Sequence, residues 1–160
     1  MRIVVTGASG FLGSALVAQL AHTTGVEAVA VGRKSLPNGR VGITTVTSYE
    51  DSPAGDVLVH LGESPNVSSQ LWDSGGAALP ALLDGRYGRI VYASSAALYG
   101  EESGALRKPG DSTVLRTPYS RRKHEAERLA LDAGGVVARI SNVYGPGMNA
   151  GTVMAEVLAQ

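Results

Sequence analysis

The stretch Arg2-Ile3-Val4-Val5-Thr6-Gly7-Ala8-Ser9-Gly10-Phe11-Leu12-Gly13 decides the fold. Arg2 to Thr6 reads as a short buried strand. Three glycines follow it at G-x-x-G-x-x-G spacing. From Gly10 to about His22 the apolar residues Phe11, Leu12, Ala15, Leu16 and Leu20 recur at helical intervals. A glycine turn between a strand and a helix is the context in which a glycine triplet has a mechanism. Gly7 permits the sharp turn, Gly10 lets backbone approach a pyrophosphate, and Gly13 lets helix and sheet pack closely. The helix N-terminus then offers unpaired N–H groups and a partial positive charge to phosphate. No Gly-Lys-Ser/Thr follows, which disfavours a nucleotide-hydrolysing P-loop.

The rest of the chain repeats the strand–helix alternation. Further strands are expected over 26–31, 41–46, 56–61, 89–93 and 136–140, and helices over 70–83, 117–133 and from 152 onward. The best helix begins at Thr117-Pro118, an N-cap followed by proline at the first helical position, and Gly134 ends it. Apolar strands separated by helices argue for an α/β fold. The expected architecture is one domain, a doubly wound parallel sheet of Rossmann type. The polar stretch from Glu101 to Asp111 is expected as an exposed loop.

Composition narrows the function. The 160 residues carry 14 Lys plus Arg and 14 Asp plus Glu, a formal net charge of zero, so no global field favours nucleic acid or an anionic membrane. There is no cysteine, which excludes disulfides, a thiol nucleophile and Cys-containing zinc sites. No apolar run reaches the length of a membrane span, and no signal-like stretch precedes the first strand, so a cytoplasmic protein is expected. His22, His60 and His124 show no metal-ligand spacing, and no metal is expected. Arg121-Arg122-Lys123 has no interleaved aromatics and reads as a solvated helix face serving one functional lysine.

Three further features point to redox chemistry on a dinucleotide. After the second strand the chain reads Gly32-Arg33-Lys34, without the acid that would bond a ribose 2′-hydroxyl. An arginine there suits a 2′-phosphate, which favours NADP over NAD. Tyr119 and Lys123 lie four apart on the best helix, with Cβ atoms expected about 5–6 Å apart on one face. A tyrosine titrates near 10, about three units above neutrality, and an adjacent ammonium stabilises its phenolate. Such a tyrosine can exchange a proton with a substrate alcohol as hydride leaves or returns. Ser94 and Ser95 end the fifth strand, where α/β sheets bind ligands and a hydroxyl can hold a reacting oxygen. The bland reading of these serines is turn capping. Neither lies in G-x-S-x-G, which disfavours a hydrolase elbow.

Five stretches now stand in order: Thr6 to Gly13, Asp56-Val-Leu-Val-His-Leu61, Ser94-Ser-Ala-Ala-Leu-Tyr-Gly100, Pro118-Tyr-Ser-Arg-Arg-Lys123 and Arg139-Ile-Ser-Asn-Val-Tyr-Gly-Pro146. Together they resemble the extended short-chain dehydrogenase/reductases, the NAD-dependent epimerase/dehydratase family. The resemblance implies Tyr119 as catalytic acid/base, Lys123 as its ribose-binding partner and Ser95 as the serine on the reacting oxygen. It implies a cofactor site of Gly7, Gly10, Phe11, Leu12, Gly13, Arg33, Leu61 and Gly62 together with Tyr119 and Lys123. Ser95 and Asn142 would meet the substrate, a nucleotide-activated sugar, and the family often acts as homodimers.

Four departures from the family pattern bear on function. Ala96 and Ala97 stand where dehydratases carry acids, so epimerase or ketoreductase chemistry fits better. Asp73 stands near a usual Asn, and Glu63 follows Leu61-Gly62 where the family often has alanines. Family members are roughly twice as long, so residues 1–160 would correspond to the dinucleotide-binding domain, with the substrate domain largely absent. A rival expectation follows: a catalytically incomplete dinucleotide-binding module that needs a missing lobe or a partner.

Overall fold

A computed structural model describes residues 1–32, 43–46, 49–62, 79–100 and 106–148. Eight elements follow in chain order: β1 (Arg2–Thr6), α1 (Phe11–Leu20), β2 (Glu27–Gly32), β3 (Ile43–Thr45), β4 (Gly55–His60), β5 (Tyr87–Ser95), α2 (Pro118–Asp132) and β6 (Val136–Ile140). The six strands form one sheet in the order β3-β2-β1-β4-β5-β6, and every pair is parallel. This is the doubly wound Rossmann arrangement, with the order reversing between β1 and β4.

The apolar strand centres explain why the sheet closes as it does. Val4 of β1 registers with Val29 of β2 on one side and Leu58 of β4 on the other. Val4, Val31 and Leu58 are fully buried and share one core with Leu82, Tyr87 and Ile90. A second cluster forms where α2 lies on the sheet, with Tyr92 of β5 against Ala126 and Ala130. The small alanines let the helix approach the large aromatic ring, as close packing demands.

Both ends of α2 are built as the sequence suggests. Thr117 accepts from the Ser120 backbone N–H at 3.0 Å, and the Ser120 hydroxyl oxygen accepts from the Thr117 N–H at 3.0 Å, a reciprocal capping box. At the other end Gly134 takes φ +73°, the Gly134 N–H donates to Leu131 O at 2.9 Å and the Gly135 N–H to Ala130 O at 2.8 Å. That pair of bonds is a Schellman cap, and it turns the chain directly into β6.

The expected helix over 70–83 differs in its described part. Leu79 to Leu83 form only a 3-10 turn centred on Pro80–Leu82, where proline starts a helical turn that is not continued. Residues 70–78 of that expected helix, and the helix expected from 152, lie outside the described residues. β5 is longer than expected and carries Ser94 and Ser95 as its last two residues. Residues 106–110 are exposed, as expected for that loop. Among the described residues no helix is long and apolar enough to cross a membrane.

Truncating Leu58 to Ala removes a fully buried side chain from the central strand pair. The expected loss is about 3 kcal/mol of folding free energy, read as a lower urea midpoint with unchanged slope.

Candidate active site at the carboxyl ends of the strands

The turn after β1 is held by backbone contacts that exclude side chains. The Gly10 N–H donates to Gly7 O at 2.9 Å, and Gly7 sits at φ +70°. A Cβ on Gly13 would lie 2.2 Å from Gly7 O, so α1 can reach this close to the turn only with glycine there. Gly10 is the N-cap of α1 and no side chain caps the first turn, which also holds no acid. The first amides of α1 are therefore free of an internal side-chain acceptor, in a place suited to an anion.

An open cavity of about 580 Å³ lies against this turn. Its walls come from five places in the sequence: Gly7 and Gly10–Gly13, Leu61 after β4, Ala93–Ser95 of β5, Tyr119 and Lys123 of α2, and Ile140–Val143 at the exit of β6. All are carboxyl ends of strands or the helix N-terminal turns beside them, where an open α/β sheet takes its ligand. Gly145 brings the β6 exit back to within 3.7 Å of Phe11, if a Cβ is placed on it, so this segment closes toward α1.

Lys123 faces inward. The side chain belongs to the buried class, unlike the exposed Arg121 two residues earlier. Its Nζ donates to Ala93 O at 2.8 Å and stands 4.9 Å from the centre of the Tyr92 ring. Lys123 is the one functional lysine expected on this otherwise solvated face, and the helix turns it onto β5. Behind Tyr92 lies His60, buried between Tyr92 (ring centres 6.0 Å apart) and Tyr49 (5.9 Å), with Nδ1 2.7 Å from Thr6 Oγ1. The ends of β1, β4 and β5 are thereby tied together under the site.

Ser95 serves both readings raised for it. Its Oγ accepts from the Ala97 N–H at 3.2 Å and caps the turn Ala96–Tyr99, and the residue also lines the cavity. Gly62 is placed differently from its neighbour Leu61. It packs behind the turn, where a Cβ would lie 2.2 Å from the Tyr49 hydroxyl, and a Cβ on Gly7 would meet Gly62 Cα at 2.7 Å. Arg33, Glu63 and Asp73 lie outside the described residues. Sequence reasoning reaches Asn142 and Val143, in the stretch 142–146 that the resemblance places on the substrate side, but missed Ile140 and Ser141, whose signal was their position at the end of the last strand. Among the described residues no group of three or more His, Asp or Glu side chains could hold a metal ion.

An ion pair between buried Glu127 and half-buried Arg139 braces the same region. Glu127 accepts from Arg139 Nε at 2.8 Å and from Nη2 at 2.7 Å, a bidentate fork between α2 and β6. Burial by itself raises the Glu127 carboxyl. The Arg139 hydrogen bonds, the Ser94 hydroxyl, and the charges of Arg139 and His124 outweigh it and hold the group below its ordinary value. The same pairing holds the Arg139 guanidinium above its ordinary range.

With this geometry in view, comparison with known proteins is direct. The sequence model of the NAD dependent epimerase/dehydratase family matches residues 3–160. The chain belongs to this family. No curated protein sequence matches it. Among solved structures, MoeE5 in complex with UDP-glucuronic acid and NAD is 27% identical, with a TM-score of 0.79, over 99% of this chain and 60% of that one. A UDP-glucuronic acid 4-epimerase from Bacillus cereus is 22% identical, with a TM-score of 0.80, over 99% of this chain and 61% of that one. A UDP-galactose 4-epimerase is 23% identical with a TM-score of 0.77, over 99% and 62%. The chain thus spans about three fifths of the length of these family structures.

Two outcomes test this geometry. Gly13→Ala should cost about 2 kcal/mol or more through overpacking against Gly7, read as a lower urea midpoint. The Glu127 charge stabilises the fold at pH values above the unfolded carboxylate's, about 4.3, and this contribution is lost as pH falls through the lower folded value. The stability difference between wild type and Glu127→Gln, from urea midpoints, should therefore shrink as pH is lowered from about 6 toward 2.

Proposed function

We propose that the cavity holds a nicotinamide dinucleotide and carries out proton-coupled redox chemistry on a nucleotide-activated sugar, as an epimerase or ketoreductase. The observation that carries this reading is the convergence of the uncapped glycine turn, Ser95 and the Tyr119–Lys123 pair on one cavity. The Gly7–Gly13 contact holds the start of α1 against the turn, and its first amides, uncapped by any side chain, suit a pyrophosphate. MoeE5, similar along nearly all of this chain, was solved with NAD and UDP-sugars.

Each residue has a definite task. The α1 amides and Gly7–Gly13 hold the diphosphate, with Phe11, Leu12 and Leu61 on the adjoining wall. Lys123, fixed by Ala93 O, presents a positive charge one helical turn from Tyr119 and binds ribose hydroxyls. Tyr119 gives or takes the proton of the reacting hydroxyl, and Ser95 holds that oxygen. The bound nicotinamide supplies a reversible hydride acceptor. Asn142, on the β6 exit, faces the substrate side. Arg33, following β2, favours NADP over NAD.

A second reading has its own support. Val143 of the cavity lining and the next residue, Tyr144, are 42% and 64% exposed, so this side of the cavity is uncovered among the described residues. On this reading residues 1–160 act as the dinucleotide-binding domain, and another segment or subunit completes catalysis.

Calorimetric titration with NAD and NADP, followed by turnover of UDP-sugars, decides between them. The first reading expects binding, with NADP tighter, and turnover that falls at least about 100-fold in Tyr119→Phe while dinucleotide affinity is kept. Binding without turnover by the wild-type chain supports the second reading. Absence of dinucleotide binding by folded protein defeats both.

A further inference from the structure

The three elements that form the catalytic side of the cavity meet at one buried acid. Glu127 projects from α2 one turn beyond Lys123 and is only 3% exposed. It grips Arg139 of β6 through both oxygens at 2.8 and 2.7 Å. Ser94 of β5 is buried as well, and its hydroxyl helps to hold the Glu127 carboxyl below its ordinary value. Arg139 extends the junction further. Its guanidinium sits 4.7 Å from the Tyr99 ring centre, in the turn capped by Ser95, and Nη1 donates to Pro109 O at 3.4 Å.

These partners lie next to the site in every direction. Ser94 precedes Ser95. Arg139 precedes Ile140–Val143, which form a cavity wall. Glu127 shares a helix with Tyr119 and Lys123, which form the facing wall. A bidentate fork fixes both distance and angle between the two elements it joins, which the apolar contacts of α2 through Ala126, Leu129 and Ala130 do not do by themselves.

We propose that Glu127 and Arg139 are positioning residues that set the separation between the Tyr119–Lys123 wall and the Ser141–Val143 wall. Neither touches the cavity, and each acts through the element it anchors. The consequence is selective. The diphosphate seat at Gly7–Gly13 belongs to β1 and α1 and does not depend on the fork. The nicotinamide half of a dinucleotide would lie between the braced walls, so its contribution to affinity depends on the fork. The inference rests on the functional reading above.

The test compares NAD with ADP, which lacks the nicotinamide half, on the full chain by calorimetry. Glu127→Gln and Arg139→Gln should each weaken NAD by about 10-fold or more while ADP stays within about twofold. A control for lost stability is Arg86→Gln. Arg86 bonds the Glu50 and Ser52 carbonyls at the far end of β5, about 30 Å along the strand from Ser95. It should lower the melting temperature and leave both affinities unchanged. In ligand-free protein the amide resonances of Ser141, Asn142 and Val143 should move in the two fork variants and not in the control. Should Glu127→Gln fail to fold, Arg139→Lys keeps the charge, loses the fork and carries the same comparison. Equal weakening of NAD and ADP, or NAD affinity within about twofold of wild type, overturns the positioning role. A wild-type chain that binds neither nucleotide defeats the functional reading instead. The brace is then judged by the amide resonances, and unmoved resonances overturn it.

Discussion

The architecture depends on a contact with no side chain in it, the approach of α1 to the turn after β1. Gly13 stands where a Cβ would intrude on Gly7 O, and Gly7 stands where a Cβ would intrude on Gly62. Backbone therefore packs on backbone from β1 to both α1 and the end of β4. This lets the helix axis point at the crevice where the strand order reverses. Without that approach the amides of α1 would end too far from the cavity to serve an anion.

The second half of the site is organised by charge and aromatic surface rather than by glycine. Lys123 is buried at the sheet because two features receive it: the Ala93 carbonyl and the face of Tyr92. A buried ammonium without such partners would be costly. Tyr92 is in turn backed by His60, which bonds Thr6 at the end of β1. The glycine turn and the lysine thus share a foundation through a row of polar and aromatic side chains under the strand ends. Glu127 and Arg139 add an ion pair in a second layer, where low dielectric makes both geometry and pairing consequential.

Much of this is legible in the sequence. Short apolar runs mark the strands, because the inner strands of a parallel sheet are covered on both faces and read as continuous apolar stretches. Thr117-Pro118 and Gly134 marked the ends of α2, because caps are local chemistry. The order of five motifs names Ser95, Tyr119 and Lys123, and these three residues line one cavity. Less was legible where interactions are distant in sequence. Glu127 and Arg139 carry no local signature of being paired, since their partners lie on different elements. The stretch before Leu83 misled because Pro80 can open either a helix or a single turn.

The sequence by itself determined the strand–glycine–helix start, the α/β alternation and the helical spacing of Tyr119 and Lys123, since each is set by neighbours a few residues apart. Only the tertiary structure decided that Lys123 is received by Ala93 O and the Tyr92 ring, that Gly62 supports the turn from behind, and that Ile140 and Ser141 join Asn142 on the cavity wall. Those outcomes depend on which strands lie side by side. That order is fixed by burial across the whole sheet rather than by any one segment.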